Sequence, residues 1–189
     1  MERSDWDLVR ECRLGSQEAF RELFERYHRQ VLAVAVGMTG NAEDARDVAQ
    51  ETFLRAHRNL HSFLGDSSFY TWLYRIAVNV AIDHRRRQAR RPEVPSADLS
   101  PGAEEEIAAA PSADEPHAKL EKSEIGRRIF SVIDELTPEH KAAIILREVE
   151  GLSYEEISKV MQCSKGTVMS RLHYARKRLQ ARLGDLLER

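Results

Sequence analysis

The sequence predicts an all-α protein of two small helical domains, and three observations carry that prediction. Apolar residues recur at spacings of three and four, as at Val168, Leu172, Ala175 and Leu179, the period of a helix buried on one face. Hydrophobic residues make up 42% of the 189-residue chain and glycines number only nine, which favours packed helices over strands joined by tight turns. Residues 92–117 hold five of the six prolines and seven acidic residues, with no Lys or Arg. That stretch has too little apolar surface to offset the entropy of ordering and reads as a flexible acidic linker. The expected domains are therefore 1–91, an N-terminal helical bundle, and 118–189, ending in a helix-turn-helix.

The helices follow in order. Asp5 to about Leu14 predicts a short first helix. Gln17 to Gly37 predicts a longer one, with Phe20, Leu23, Phe24, Tyr27 and Val31 on one face. Asn41 is a plausible cap for a third, from Ala42 to about Leu60, because its side chain can accept from an orphan backbone N–H. Phe69 to about Arg87 predicts a fourth. Beyond the linker, a helix from about Lys119 to Leu136 stops before Thr137-Pro138, where Thr caps and Pro takes the first helical position. The last three helices begin there, and no internal repeat is present.

The net charge of −2 conceals a segregation. Residues 1–91 carry 15 basic against 13 acidic residues, and residues 118–189 carry 14 against 11. Both domains are mildly basic and only the linker is strongly acidic. Cys12 and Cys163 form no CxxC pair, which points to a reduced, intracellular setting. No apolar run approaches the roughly 18 residues that span a bilayer, and the first dozen residues lack a signal-peptide core. The expectation is a cytoplasmic protein with no membrane contact of its own.

Three segments carry chemistry. In the third helix, Ala45, Val48, Thr52 and Ala56 share one side, while Asp47, Gln50, Glu51, Leu54 and Arg58 share the other. A leucine among acids and an amide on an outward face suggests a protein contact, although a solvated face with one stray leucine would also fit. The second segment, residues 61–91, places a Gly-Asp-Ser-Ser loop before a helix containing Phe69, Tyr70, Trp72 and Tyr74, followed by Arg85, Arg86, Arg87, Arg90 and Arg91. Aromatic faces stack on unpaired bases while arginines hold the backbone, so the mixture suits single-stranded nucleic acid. For most of Phe69, Trp72, Leu73, Ile76 and Val80 core packing is the better account, but it leaves the one-sided arginine cluster unexplained.

The third segment, GLSYEEISKVMQCSKGTVMSRLHYARKRL, reads as a helix-turn-helix. Ser153 with Glu156 forms a capping box that starts a helix at Tyr154, with Ile157, Val160 and Met161 on its apolar face. Gln162-Cys163-Ser164 makes a short polar break, and Ser164 is placed to cap the next helix. Opposite the stripe from Val168 to Leu179, Ser170, His173, Tyr174 and Lys177 project outward. Lys165 to Arg182 contains six basic residues and no acidic one, as suits a helix in a phosphate-walled groove. An amphipathic hairpin with a basic solvent face is the bland alternative.

Other classes find less support. A conventional helix-turn-helix regulator binding duplex DNA as a dimer leaves the outward leucine and the aromatic–Arg helix without a role. An enzyme is disfavoured because no GxxxxGK[ST] loop, HExxH or Ser/His/Asp arrangement is present. His57 and His61 sit four apart, but no further ligand completes a metal site, so neither metal nor cofactor is expected.

Taken together, DARDVAQETFLRA, SFYTWLYRIAVNVAIDHRRR and the helix-turn-helix, in that order around an acidic linker, resemble the bacterial extracytoplasmic-function (group 4) sigma factors of RNA polymerase, in the sigma-70 superfamily. The resemblance covers roughly residues 5–91 and 118–185. It implies that Asp47, Gln50, Glu51 and Leu54 bind the clamp helices of the largest core-polymerase subunit. It implies that the loop at Phe63, Gly65, Asp66 and Ser67 receives a flipped base of the −10 element, with Asn79, Arg85 and Arg86 on the same strand and Trp72 and Tyr74 as support. It places Lys165, Thr167, Met169, Ser170, Arg171, His173, Tyr174 and Lys177 on the −35 element, and has Arg171 and residues 176–178 hold phosphates. Relatives often carry arginine where this chain has Met169 and Tyr174, so its −35 preference should differ. The implied partners are core RNA polymerase (the clamp helices and the flap region), promoter DNA and an anti-sigma factor. The implied function is promoter-specific initiation: reading both elements and melting the −10 region. The acidic linker is expected to occupy basic polymerase channels.

Overall fold

The structure is a computed structural model. It describes residues 3–90 and 124–187, with side chains described for 3–89 and 128–184. The linker expected at 92–117 lies outside those residues. Among the described residues there are eight α-helices and no strand.

In the first module, α1 (Asp5–Arg13), α2 (Gln17–Thr39), α3 (Ala42–Arg58) and α4 (Phe69–Arg90) form a bundle, with a 3₁₀ turn at Leu60–Ser62 after α3. Local chemistry sets the boundaries. Ser4, Ser16 and Asn41 each accept from a backbone N–H in the first turn of the helix that follows. Gly40 ends α2 in the left-handed conformation at φ 84°, which glycine adopts without a Cβ clash. The core joins Leu8 and Val9 of α1 to Leu23, Val31, Val34 and Met38 of α2, Val48 and Ala56 of α3, and Leu73, Ala77 and Val80 of α4. Phe24, expected on the same inward face, is instead 42% exposed.

In the second module, α5 (Glu124–Asp134), α6 (Pro138–Glu148), α7 (Tyr154–Val160) and α8 (Lys165–Leu187) surround Ile144, Leu146, Ile157, Val160, Val168 and Leu172. The Ser153–Glu156 capping box is closed in both directions. Ser164 accepts from the backbone N–H of Thr167 at 3.1 Å, and between α7 and α8 the chain turns through a left-handed Gln162 at φ 49°. One expected cap is corrected. Pro138 does open α6, but Thr137 makes no side-chain cap bond, because its hydroxyl pairs with His140 Nδ1 at 2.6 Å.

The sequence gives no sign that the two modules touch, yet they pack on each other. Helix α4 lies against α6 and α7, and α2 lies against α6. A Cβ added at Gly37 would come within 3.0 Å of the Ile145 side chain, so glycine permits the close approach of α2 to α6 there. Asp134 accepts from Arg85 of α4 at 3.0 Å and from the buried ammonium of Lys141.

Candidate functional site

Helix α8 presents two opposed faces. Val168, Leu172 and Ala175 are fully buried or nearly so, which fixes the rotation of the helix. Ser170, His173 and Lys177 are then exposed, and Met169 and Tyr174 are more than half exposed. Thr167 and Arg171 are half-buried, with the Arg171 guanidinium 3.6 Å from Cys163 Sγ across the turn. Tyr174 rests on His140 of α6, ring centroids 4.5 Å apart. Burial and then the nearby Arg171 charge hold the His140 imidazole below its ordinary pKa of 6.5, so near neutral pH it lies against Tyr174 uncharged.

Much of the basic character of this helix is already matched by carboxylates of the same module. Lys165 pairs with Glu155 at 2.9 Å and Arg176 with Glu148 at 2.8 Å. Arg178 and Arg182 converge on Glu135, whose carboxyl is held below its usual range, chiefly by the Arg182 bonds. All of these groups are surface-exposed, and such pairs are weak, worth about 0–1 kcal/mol each.

On α3, Ala45, Val48, Thr52 and Ala56 are buried, with Thr52 Oγ1 donating back to the Val48 carbonyl at 2.7 Å. Asp47, Gln50 and Leu54 are exposed on the other side, Leu54 at 44%. Glu51 is half-buried and accepts from Arg55 at 2.6 Å. Phe24, placed by its spacing on the same face of α2 as Leu23 and Val31, adds an exposed ring and meets Phe53 of α3 edge-on at 4.7 Å.

The loop before α4 is braced from below. Gly65 takes φ +84°, and a Cβ there would lie 3.1 Å from the Trp6 ring. The Arg13 guanidinium sits 5.7 Å from that ring and donates to the Leu60 carbonyl at 3.3 Å. Leu64 is strongly exposed, Asp66 exposed and Ser67 half-buried. Phe63, expected with the loop to receive a −10 base, is only 4% exposed. Its ring packs within 6 Å of Trp6, Phe69 and Trp72, so it supports the loop from the core. Nothing adjacent in sequence signals this, because Trp6 arrives from α1.

Along α4, Trp72 and Tyr74 are buried, as expected of supporting residues, and Asn79 is exposed. Arg86 is exposed and 3.6 Å from Glu139, whereas Arg85 is engaged with Asp134 and the Met38 carbonyl. Tyr70 and Tyr74 donate to Glu156 and Glu150 of the second module. A cleft of about 300 Å³ opens where the loop meets that module, lined by Asp66, Ser67 and Arg75 on one side and Lys159 and Gln162 on the other. Among the described residues, no group of three His, Cys, Asp or Glu side chains is placed to hold a metal, and no helix is long and apolar enough to cross a membrane. His57 packs edge-on to Phe20 at 4.7 Å.

Comparison with known proteins agrees with both halves. Residues 23–91 match the family described as Sigma-70 region 2, and residues 126–179 match Sigma-70, region 4. The chain is 40% identical over 186 residues to the RNA polymerase sigma-H factor of Pseudomonas aeruginosa, covering 97% of this chain and 95% of that one. It is also 40% identical over 189 residues to the ECF RNA polymerase sigma-E factor of Escherichia coli K12, covering 98% and 97%. Among solved structures, CnrH in complex with the cytosolic domain of CnrY aligns with a TM-score of 0.70 at 27% identity, covering 97% of this chain and 99% of that one. A capped helix-turn-helix, an α3 face with an outward leucine and a braced loop before an aromatic helix thus sit within matched sequence: this chain belongs to the extracytoplasmic-function RNA polymerase sigma factors of the sigma-70 family.

Proposed function

We propose that the work of promoter-specific initiation divides between residues 1–91, which bind core polymerase and capture the melted −10 element, and residues 118–189, which read the −35 element, with 92–117 as the tether. The observation that carries this reading is α8, whose buried stripe turns Met169, Ser170, His173, Tyr174 and Lys177 outward on the second helix of a helix-turn-helix. Lys165, Thr167 and Arg171 complete that surface. Asp47, Gln50, Glu51 and Leu54 form the polymerase contact, extended by Phe24. At the −10 element, Gly65, Asp66 and Ser67 line the base pocket over a Phe63 floor, and Asn79, Arg85 and Arg86 follow the strand. An exposed amide offers donor and acceptor to a base edge, and a flipped base needs a braced pocket.

Each module alone is a weak DNA binder, because the basic excess is small and largely paired with carboxylates. Docking on core polymerase holds both on one promoter, and tethering raises effective concentration without a new contact. The protein acts in the cytoplasm, without catalysis of its own, and an anti-sigma partner holds it inactive. CnrH, which aligns with 97% of this chain, is seen in complex with the cytosolic domain of CnrY, and that supports the last point. The reading is tested by transcription in vitro with bacterial core polymerase across genomic promoter fragments. Discrete start sites that depend on the protein, and fade in a Gln50→Ala/Leu54→Ala variant, are expected. Tight duplex binding without polymerase and without initiation would overturn it.

A further inference from the structure

Leu64 is the residue of the loop before α4 that the fold does least to explain. Its side chain is 72% exposed, while that of its neighbour Phe63 is buried. Phe63 has extended backbone, at φ −76° and ψ 103°, and along extended chain successive side chains point to opposite sides. Phe63 therefore turns into the core and Leu64 turns away from it. A lone exposed leucine is ordinary on a protein surface. This one stands on backbone that is fixed on both sides of it.

Two side chains of α1 do the fixing. The Arg13 guanidinium donates to the carbonyls of Leu60 at 3.3 Å, of His61 at 3.5 Å and of Phe63, so one cation gathers the 3₁₀ turn and the residue just before Leu64. The Trp6 ring meets Phe63 edge-on with centroids 5.8 Å apart. It also lies against Gly65, where a Cβ would come within 3.1 Å of it. Arg13 in turn sits 5.7 Å from the Trp6 ring. At the far end of the loop, Ser68 accepts from the backbone N–H of Thr71 at 3.3 Å and fixes the start of α4. The segment matched to Sigma-70 region 2 begins at residue 23, so both braces come from sequence that precedes the match.

We propose that Leu64 is an apolar wedge for strand opening, packed against the base step beside the base that residues 65–67 receive, with Trp6 and Arg13 as the positioning residues that hold it there. An aliphatic side chain on a fixed tip can fill the gap left between two unstacked bases, and leucine is among the few residues that proteins insert between base steps in this way. On a mobile loop the same contact would lose its gain to the entropy of ordering the loop. The work then divides along the chain: Gly65, Asp66 and Ser67 hold the extruded base, and Leu64 keeps its neighbours from restacking behind it. The wedge presupposes the −10 assignment above, because residues 65–67 must receive a base for Leu64 to stand beside one.

The test compares one promoter as a closed duplex and as a bubble mismatched across the −10 element, each transcribed by core polymerase with the full chain. On the duplex, Leu64→Ala is expected to lower start-site transcripts and permanganate reactivity of −10 thymines about tenfold, the effect of removing most of a leucine that leaves water in the open complex. On the bubble it should stay within about twofold of wild type, because no stacking remains to be broken. Leu64→Met keeps an apolar side chain of similar volume and should restore opening on the duplex. Arg13→Ala should show the same pattern, loss on the duplex with the bubble retained, and Arg13→Lys should fall between it and wild type. Because the Leu64 side chain is exposed, its removal should leave the urea midpoint unchanged. Wild-type opening by Leu64→Ala on the duplex, or equal losses on duplex and bubble, would overturn the wedge, and wild-type opening by Arg13→Ala would overturn the brace. Asn79→Ala separates this proposal from the assignment beneath it. If that variant fails on both templates while Leu64→Ala matches wild type, the −10 assignment stands and the wedge alone falls. If neither substitution matters on either template, the −10 assignment falls and takes the wedge with it.

Discussion

His140 lies beneath Tyr174, so the exposed tyrosine of α8 is positioned by a side chain from a different helix. The imidazole is held below its ordinary pKa of 6.5 by burial and then by Arg171. The folded protein therefore favours the neutral ring, and the unfolded chain binds more protons just below pH 6.5. Stability contributed by this site is fully present above pH 6.5 and falls as pH drops through the unfolded and then the folded pKa. His140→Phe should remove that pH-dependent part of a denaturation profile recorded between pH 5 and 7.5 while keeping the ring contact. His140→Ala should cost about 1 kcal/mol through the lost aromatic pair and alter base preference at the −35 element, measured by binding to a library of duplex sites.

Lys141 is 1% exposed and donates to Asp134. Burial depresses its pKa against the opposing pull of that carboxylate. Removing the acid should therefore hurt more than removing both charge and need. Asp134→Ala is expected to destabilise by about 2 kcal/mol, less than for a fully buried broken pair because Asp134 is partly solvated. Lys141→Met should stay within about 1 kcal/mol of wild type. Urea denaturation of the two variants distinguishes these outcomes.

Gly65→Ala should be costly for two separate reasons. The residue sits at φ +84° and its new methyl would crowd Trp6. A loss of about 1 kcal/mol follows from the backbone alone. Because the loop is braced on Trp6, the same substitution should weaken −10 opening, read by permanganate reactivity of unpaired thymines on core polymerase. Wild-type reactivity would show that the loop takes no part in melting.

The ion pairs of α8 predict an unusual salt response. A protein that neutralises Z phosphates with free cations shows a slope of roughly −0.9Z in log affinity against log salt. Lys165, Arg176, Arg178 and Arg182 are already paired with carboxylates, so on the proposed −35 surface they would exchange one anion for another. Glu135→Gln/Glu148→Gln should strengthen binding of the full chain to a −35 duplex several-fold at about 0.1 M salt and steepen the slope. Fluorescence anisotropy across a salt series measures both. No change in slope would mean that these arginines make no phosphate contact.

What could be read from the sequence was what local chemistry decides. Asn41, the Ser153–Glu156 box, Ser164 and Pro138 begin helices through interactions within one turn, and the stripe from Val168 to Ala175 is buried as its period requires. Thr137 departs from expectation because His140, three residues on, competes for its hydroxyl. The remaining departures are long-range. Phe63 packs into the core with Trp6 of α1, Phe24 stays at the surface while meeting Phe53 of α3, and Arg85 is claimed by Asp134, 49 residues away. No periodicity encodes such meetings. Joining of the modules was illegible for the same reason: a tyrosine hydroxyl and a glutamate in separate helices carry no mark of each other.

The bond between Arg85 and Asp134 also sets how much of the chain's charge reaches its surroundings. The guanidinium spends its field on a carboxylate of the other module and on the Met38 carbonyl, so a polyanion approaching α4 meets less positive potential than the number of arginines there suggests. Long-range steering by such a field accelerates encounter and fades with ionic strength, and here internal pairing trims it before salt does.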